Sequence, residues 1–276
     1  MTEKEQVLRD TPPQHIWIGG ECKTGLRDDA VDYANGAFFK KSNGELCAYI
    51  FAGGDTLIIP QEVCRIPSGF DFRNPGLKKL VFRGDLVDSM CSFHRSPLEE
   101  IVYEGECRGF LFFLFEGMFD YSDQLRSVTL PRGITDISKW AFHNCSALTH
   151  VEIPESVTKI RDLAFCDCES LTELVIPEGV QEIRHRAFDG CKSLKRISLP
   201  RSLKHLYGGV FDGCDSLETI VFRGTVAQWD LVKKGHQQTT STNHYDNSRV
   251  GYDWSEESTY YCDWKPQHKY KMKFEP

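Results

Sequence analysis

A fixed step of 23 residues governs the middle of this chain. Leu125, Leu148, Leu171, Leu194 and Leu217 each stand 23 apart, and Pro131, Pro154, Pro177 and Pro200 keep the same step. So do Phe142, Phe165, Phe188 and Phe211, and likewise Cys145, Cys168, Cys191 and Cys214. The residue before each Phe is small: Ala141, Ala164, Ala187 and then Val210. An unbroken period of roughly 20–50 residues restricts a chain to a stacked architecture, because a unit that short buries its apolar face only against the next unit. One continuous body is therefore favoured over two small globules.

The spacing inside one unit reads physically. Leu148, Val151 and Ile153 follow L-x-x-V-x-I, and the last two alternate as in a strand with one buried face. Pro154 cannot donate to a ladder, so it ends the strand and opens a corner. Val157 and Ile160 anchor the returning side, and Ala164 makes room for the ring of Phe165. Stacking then sets each Leu over a Leu and each Phe over a Phe.

Weaker copies extend the array toward the N-terminus. Met118–Phe119 stands before Leu125 as Ala141–Phe142 stands before Leu148, and "LKKLVFRG" from Leu77 repeats the form of "LETIVFRG" from Leu217. Leu57, Ile59, Pro60, Val63 and Ile66 fit a further unit with Gly54 in the place of its leading Leu. Between Leu98 and Leu125 the step stretches to 27, which predicts an insertion around Phe110–Phe115. The count comes to about seven coils, of which about four are regular.

The pattern L-x-x-[VI]-x-[LI]-P-x-x-[VI]-x-x-I-x-x-x-A-F-x-x-C resembles the BspA-like leucine-rich repeat. The likeness is specific across residues 125–222, looser over 54–124, and absent from the first 35 and last 40 residues. It implies a leucine-rich repeat solenoid: a right-handed coil with a parallel β-sheet on the concave face and short β or 3₁₀ segments on the other side. "FRGTVAQW" at 222–229 looks like the segment that closes such arrays. The family association is with adhesion and protein recognition, often at cell surfaces. Two departures stand out, since the glycine often found after the second-strand Ile is not kept and the usual export signal is missing.

Composition narrows the classes. The formal net charge is −7, and the whole surplus falls on residues 1–124. No basic face of the kind nucleic acid binding requires is present, so no nucleic-acid partner is expected. The dense apolar run "GFLFFLFEGMF" is far too short to span a bilayer, so no membrane insertion is expected. The opening "MTEKEQVLRDTPPQ" is polar and is no signal peptide as written, which points to a cytoplasmic location, with the cell surface or non-classical secretion as the alternative. Strands stack about 4.8 Å apart, wider than the disulfide Cβ separation of about 3.8 Å. The cysteine ladder is therefore expected to hold free thiols, which suits a reducing compartment.

The two ends read differently. Residues 1–35 form a polar segment. Residues 36–59 carry Asn43–Gly44 between two apolar runs, a type I′ hairpin signal, and would cap a solenoid over 54–224. Thr225 and Gln228 fit a capping box for a helix over 225–235, with Trp229 plugging the last coil. Residues 236–276 are a polar and aromatic extension, with a strand or hairpin expected in its closing stretch.

Chemical motifs are thin. No P-loop, dinucleotide fingerprint or HExxH is present. Cys166-Asp167-Cys168 resembles half a zinc site but lacks a second pair, and the positions equivalent to His143 in later units are Cys166, Asp189 and Asp212, as in a variable turn. No enzyme activity, cofactor or metal is expected. What varies instead are two rows of outward strand residues: Lys79, Glu100, Ser127, His150, Glu173, Arg196 and Thr219 in one, with Val81, Val102, Thr129, Glu152, Val175, Ser198 and Val221 in the other. Mixed charge and apolarity on a face roughly 30 Å long suits a protein partner of unspecified identity. An alternative is a carbohydrate-binding or adhesion module built on Tyr252, Trp254, Tyr260, Tyr261 and Trp264. Oligomeric state is not readable from these patterns.

Overall fold

Each regular coil makes two short strands and a run of turns. In the coil that starts at Leu148, His150–Glu152 is the first strand and Lys159–Ile160 the second. Pro154 turns the corner between them, its carbonyl accepting from Val157 N at 3.1 Å. Along the first strand Val151 is buried while His150 and Glu152 are exposed, the alternation expected of a sheet with one dry face. The computed structural model describes residues 2–13, 16–18, 30–51, 53–67, 76–85, 88–89, 93–106, 116–234 and 270–275, together with Leu26, Phe70, Phe72 and Asn74.

First strands stack in parallel. Thr56–Ile59, Lys79–Phe82, Glu100–Tyr103, Ser127–Thr129 and His150–Glu152 form one five-stranded sheet, and Glu173–Val175, Arg196–Pro200, Thr219–Arg223 and Lys271–Phe274 a second sheet of four. On the other side Asp136–Ile137, Lys159–Ile160, Glu182–Ile183, His205–Leu206 and Lys233–Lys234 make a continuous parallel ladder. The chain is a leucine-rich repeat solenoid, with pairing partners one repeat apart, as in Val128↔Val151 and Ile160↔Ile183.

The core is a set of columns. Phe93, Phe119, Phe142, Phe165, Phe188 and Phe211 lie ring on ring, with centroid separations between 4.9 and 6.2 Å and planes within 12° of parallel. Each ladder cysteine sits beside this column and donates to a Phe carbonyl of the preceding coil: Cys145 Sγ to Phe119 O at 3.1 Å, and Cys191 Sγ to Phe165 O at 3.2 Å. All four ladder thiols are free, as expected from the strand spacing.

The turns around each Phe share one backbone device. The residue two before the ring is left-handed in Trp140, Leu163 and Arg186, and the residue two after it in Tyr121, Asn144 and Asp167, all with φ between 52° and 58°. Between them run i→i−3 bonds of 3₁₀ type, such as His143 N to Trp140 O and Cys145 N to Phe142 O, both at 3.2 Å. A non-glycine residue held at positive φ carries strain, so the stack of neighbouring coils must hold these turns in place.

At the N-terminal end, strands Ile16–Ile18, Leu46–Ile50, Ala37–Lys40 and Val31–Ala34 form an antiparallel sheet in that order. Its two-residue turn of type I′ is Asn35–Gly36, with φ of 46° and 90°. Asn43–Gly44 instead belongs to the longer connection 41–45: only Gly44 has positive φ, and Asn43 Oδ1 accepts from Glu45 N. Tyr49 closes the solenoid core by packing on Phe72 and Phe70 at 5.7 and 6.0 Å. A helix, Glu3–Asp10, begins at a capping box of Thr2 and Glu5.

At the other end the Thr225–Gln228 capping box starts the helix Val226–Leu231, and Trp229 is buried against Phe222 at 5.2 Å. The chain then pairs as the strand Lys233–Lys234. The strand Lys271–Phe274 adds itself in parallel to Thr219–Arg223 and ends the first-strand row. No helix among the described residues is long and apolar enough to cross a membrane.

Candidate functional site

The parallel register sets the outward residues of the concave face in rows. Lys79, Glu100, Ser127 and His150 stand side by side, as do Glu173, Arg196 and Thr219. These neighbours are not equally available. Lys79 Nζ donates to Glu100 Oε1 at 2.9 Å, so those two charges largely answer each other, and Arg196 approaches Glu275 at 3.8 Å. Ser127, Thr129 and Thr219 are half-buried.

Ser198 departs from the expected face. It is only 8% exposed, because its short hydroxymethyl group lies in register between Val175 and Val221, and Val221 itself is fully buried. Val81 is buried as well. The second row is thus closed at both ends and open in the middle.

That open middle coincides with a break in the sheet. Pairing runs from Thr56 to Glu152 and again from Glu173 to Phe274, yet His150–Glu152 and Glu173–Val175 do not pair. The coils are still held together below the seam, by Lys159↔Glu182 pairing and by Phe165–Phe188 stacking at 5.4 Å. His150, Glu152, Glu173 and Val175 line it, and all four are exposed, Val175 by 63%.

Charge sharpens the contrast. Elsewhere the coils are stitched by ion pairs: Lys78–Glu99 at 2.6 Å, Lys192–Glu169 at 2.7 Å, and Arg161–Asp136 at 2.8 Å. Arg223 reaches across two coils to the Ile176 carbonyl and to Glu178. Glu152 and Glu173 form no ion pair among the described residues and stand diagonally across the seam. The proposed aromatic patch of Tyr252, Trp254, Tyr260, Tyr261 and Trp264 lies outside the described residues, as does the insertion around Phe110–Phe115.

A second cluster sits on the turn edge. The residue directly after each ladder Phe projects there, so His94, Asp120, His143, Cys166, Asp189 and Asp212 form a column. His143 Nδ1 is 2.8 Å from Asp120 Oδ1, and His143 Nε2 is 4.0 Å from Asp167 Oδ2. The Cys166 thiol donates to Asp167 Oδ2 at 3.4 Å. Burial pushes the Cys166 thiol up, with Asp167 and Asp189 adding to the shift, and burial raises the Asp189 carboxyl to about 6. Cys168 belongs elsewhere: it points inward and donates to Phe142 O at 3.2 Å. His143 lies across the stack from Cys166 and Asp167, with polar atoms of the three within 4.8 Å of one another, a relationship that no short motif displays because its spacing is the repeat itself.

The geometry of Leu, Phe and Cys columns at one fixed period has a counterpart among known families. The model of the BspA type leucine rich repeat region matches residues 114–231 in 6 copies. That stretch is less than half of the chain, and it is there that the repeats are similar to this family. No curated protein matches the chain. Among solved structures, a leucine-rich repeat protein from Bacteroides ovatus is 22% identical with a TM-score of 0.43, covering 75% of this chain and 51% of its own. The T. pallidum leucine-rich repeat protein is 20% identical with a TM-score of 0.44, covering 82% of this chain and 97% of its own. The chain thus spans about half the length of the Bacteroides ovatus protein. The fixed columns hold the coils, and the outward residues are free to carry function.

Proposed function

We propose that this protein is a non-catalytic interaction scaffold that binds a protein partner along its concave face, centred on the seam between His150–Glu152 and Glu173–Val175. The observation that carries the reading is the pair of exposed carboxylates, Glu152 and Glu173, without ion pairs among the described residues, beside an exposed Val175. Unpaired charges next to an apolar side chain cost little in water. They gain when a partner brings a cation and an apolar group together, an apolar contact flanked by complementary charges. The partner expected is therefore a protein segment presenting Lys or Arg beside an aliphatic or aromatic residue.

The test is a partner capture run with wild type and with the double reversal Glu152→Lys, Glu173→Lys, after circular dichroism confirms that both are folded. Loss of the captured protein in the reversal, with recovery by a charge-swapped partner, supports the seam. Capture that survives the reversal moves the contact away from this face.

A further inference from the structure

We propose that His143, Cys166 and Asp167 form a divalent transition-metal site on the turn edge, matched to Zn²⁺, that bridges two adjacent coils independently of the concave face. The three side chains offer one imidazole nitrogen, one sulfur and one carboxylate oxygen, all within 4.8 Å of one another. That donor set is the borderline-soft mixture zinc prefers, with the fourth position left for water.

The geometry is close to what an ion needs. Zinc bonds of about 2.0–2.3 Å in a tetrahedron place ligand atoms about 3.3–3.7 Å apart. Cys166 Sγ and Asp167 Oδ2 already stand 3.4 Å apart, and His143 Nε2 is 4.0 Å from Asp167 Oδ2. Small side-chain rotations close the remainder. The thiol hydrogen now shared between Cys166 and Asp167 lies between two of the donors, and the ion would replace it, releasing one proton to solvent.

The surroundings supply what a ligating histidine requires. Asp120 Oδ1 accepts from the Nδ1–H at 2.8 Å, which leaves Nε2, 4.0 Å from Asp167 Oδ2, as the nitrogen with a free lone pair for a metal. The backbone fixes the donors: Asp167 has φ of 58°, and its N–H is tied to Asp189 O at 2.7 Å in the next coil. His143 and Asp167 are partly exposed, which leaves the site open to entry, while Cys166 forms its floor.

One neighbour competes. Asn144 Nδ2 lies 2.8 Å from His143 Nε2 and 3.2 Å from Nδ1, so its amide rests against the ring and competes with an ion for Nε2. This gives the proposal an uncommon signature. Asn144→Gly tolerates the left-handed backbone, φ 56°, and removes the competing donor. It should bind metal more tightly than wild type.

The experiment is a Co²⁺ titration of the full chain, reduced and metal-free, followed by absorbance. The expected result is one Co²⁺ per chain with a thiolate-to-cobalt charge-transfer band and the visible bands of tetrahedral cobalt. Cys166→Ser should abolish the charge-transfer band. His143→Gln should weaken binding at least tenfold, and Asp120→Asn by about 10–100-fold as a positioning residue. Asn144→Gly should strengthen binding. If Cys166→Ser fails to fold, the surface variants His143→Gln and Asn144→Gly carry the test. Absence of the band in wild type, or a band unchanged in both Cys166→Ser and His143→Gln, overturns the site.

Discussion

The Cys168 thiol donates to the carbonyl of Phe142, 3.2 Å away and 26 residues earlier in the chain. The same bond recurs from Cys145, Cys191 and Cys214 to Phe119, Phe165 and Phe188. A residue at this position must be small enough for the column and still satisfy a buried carbonyl, and cysteine meets both needs as a compact hydrophobe with a weak donor. Burial pushes the thiols of Cys145, Cys168 and Cys191 up, so they are protonated and inert when folded. Peptide mapping after alkylation should leave Cys145, Cys168, Cys191 and Cys214 unmodified in native buffer and modified in denaturant. Rapid native labelling of Cys168 would show that the column is not closed.

The aromatic column predicts a gradient of stability along the solenoid. Phe165 is fully buried between Phe142 and Phe188, at 5.0 and 5.4 Å, whereas among the described residues Phe211 stacks on one side only, at 6.2 Å, and is 9% exposed. Phe165→Ala leaves a cavity between two rigid coils and should cost about 3–5 kcal/mol. Phe211→Ala should cost about half as much, since neighbouring groups near the end of the stack relax more freely. Urea midpoints of the two variants decide it, and equal losses would mean that the stack does not unfold coil by coil.

How far the sequence already displayed this structure depends on the physics at each position. The columns of Leu125 to Leu217 and Phe142 to Phe211 were legible because stacking demands the same residue at the same step. Asn35–Gly36 outcompeted Asn43–Gly44 as the tight hairpin because the strands that pair are Val31–Ala34 and Ala37–Lys40, and a motif alone does not say which strands meet. Ser198 was read as exposed from alternation, which reports the direction of a side chain but not the size of its neighbours. The seam at Glu152 and Glu173 left no mark in the repeat, since the apolar positions on both sides are intact. His143 and Cys166 were each visible but not their partnership, because contacts in a solenoid are separated by the period rather than by a short spacing.

His185 should make the fold sensitive to mild acid. It is buried and packs edge-on against Tyr207 at 5.0 Å, and desolvation holds its pKa below the usual imidazole value despite the nearby Asp162. The unfolded chain therefore takes up this proton first as pH falls, and stability present above an ordinary histidine pKa of about 6.5 is lost as pH drops through the lower folded value. His185→Phe keeps a ring against Tyr207 and removes the titration. Urea midpoints measured at about pH 7.5 and about pH 5 should differ less in the variant than in wild type. An identical pH dependence in both proteins would assign the acid loss to other groups.

The strand Lys271–Phe274 predicts what guards the C-terminal edge of the sheet. It pairs with Thr219–Phe222 in parallel register, and Phe274 meets the ring of Phe222 edge-on at 6.4 Å. Without it, Thr219–Arg223 would present an unpaired row of backbone donors and acceptors over the end of the core, the kind of edge that recruits a second chain. Met272 faces Ile220 in the register. Lys273 lies between Lys271 and Glu275, whose N–H groups donate to Glu218 O and Phe222 O, so Lys273→Pro removes a ladder donor. It also fixes a φ foreign to the strand interior, which should release the segment at a cost of about 2–3 kcal/mol. Deleting Tyr270–Pro276 should have the same effect. Both variants should show a lowered urea midpoint and, in sedimentation velocity, a concentration-dependent larger species that wild type lacks. If both stay as stable as wild type and sediment identically, the last coil is closed by Trp229 and its helix alone, and the added strand is not the cap.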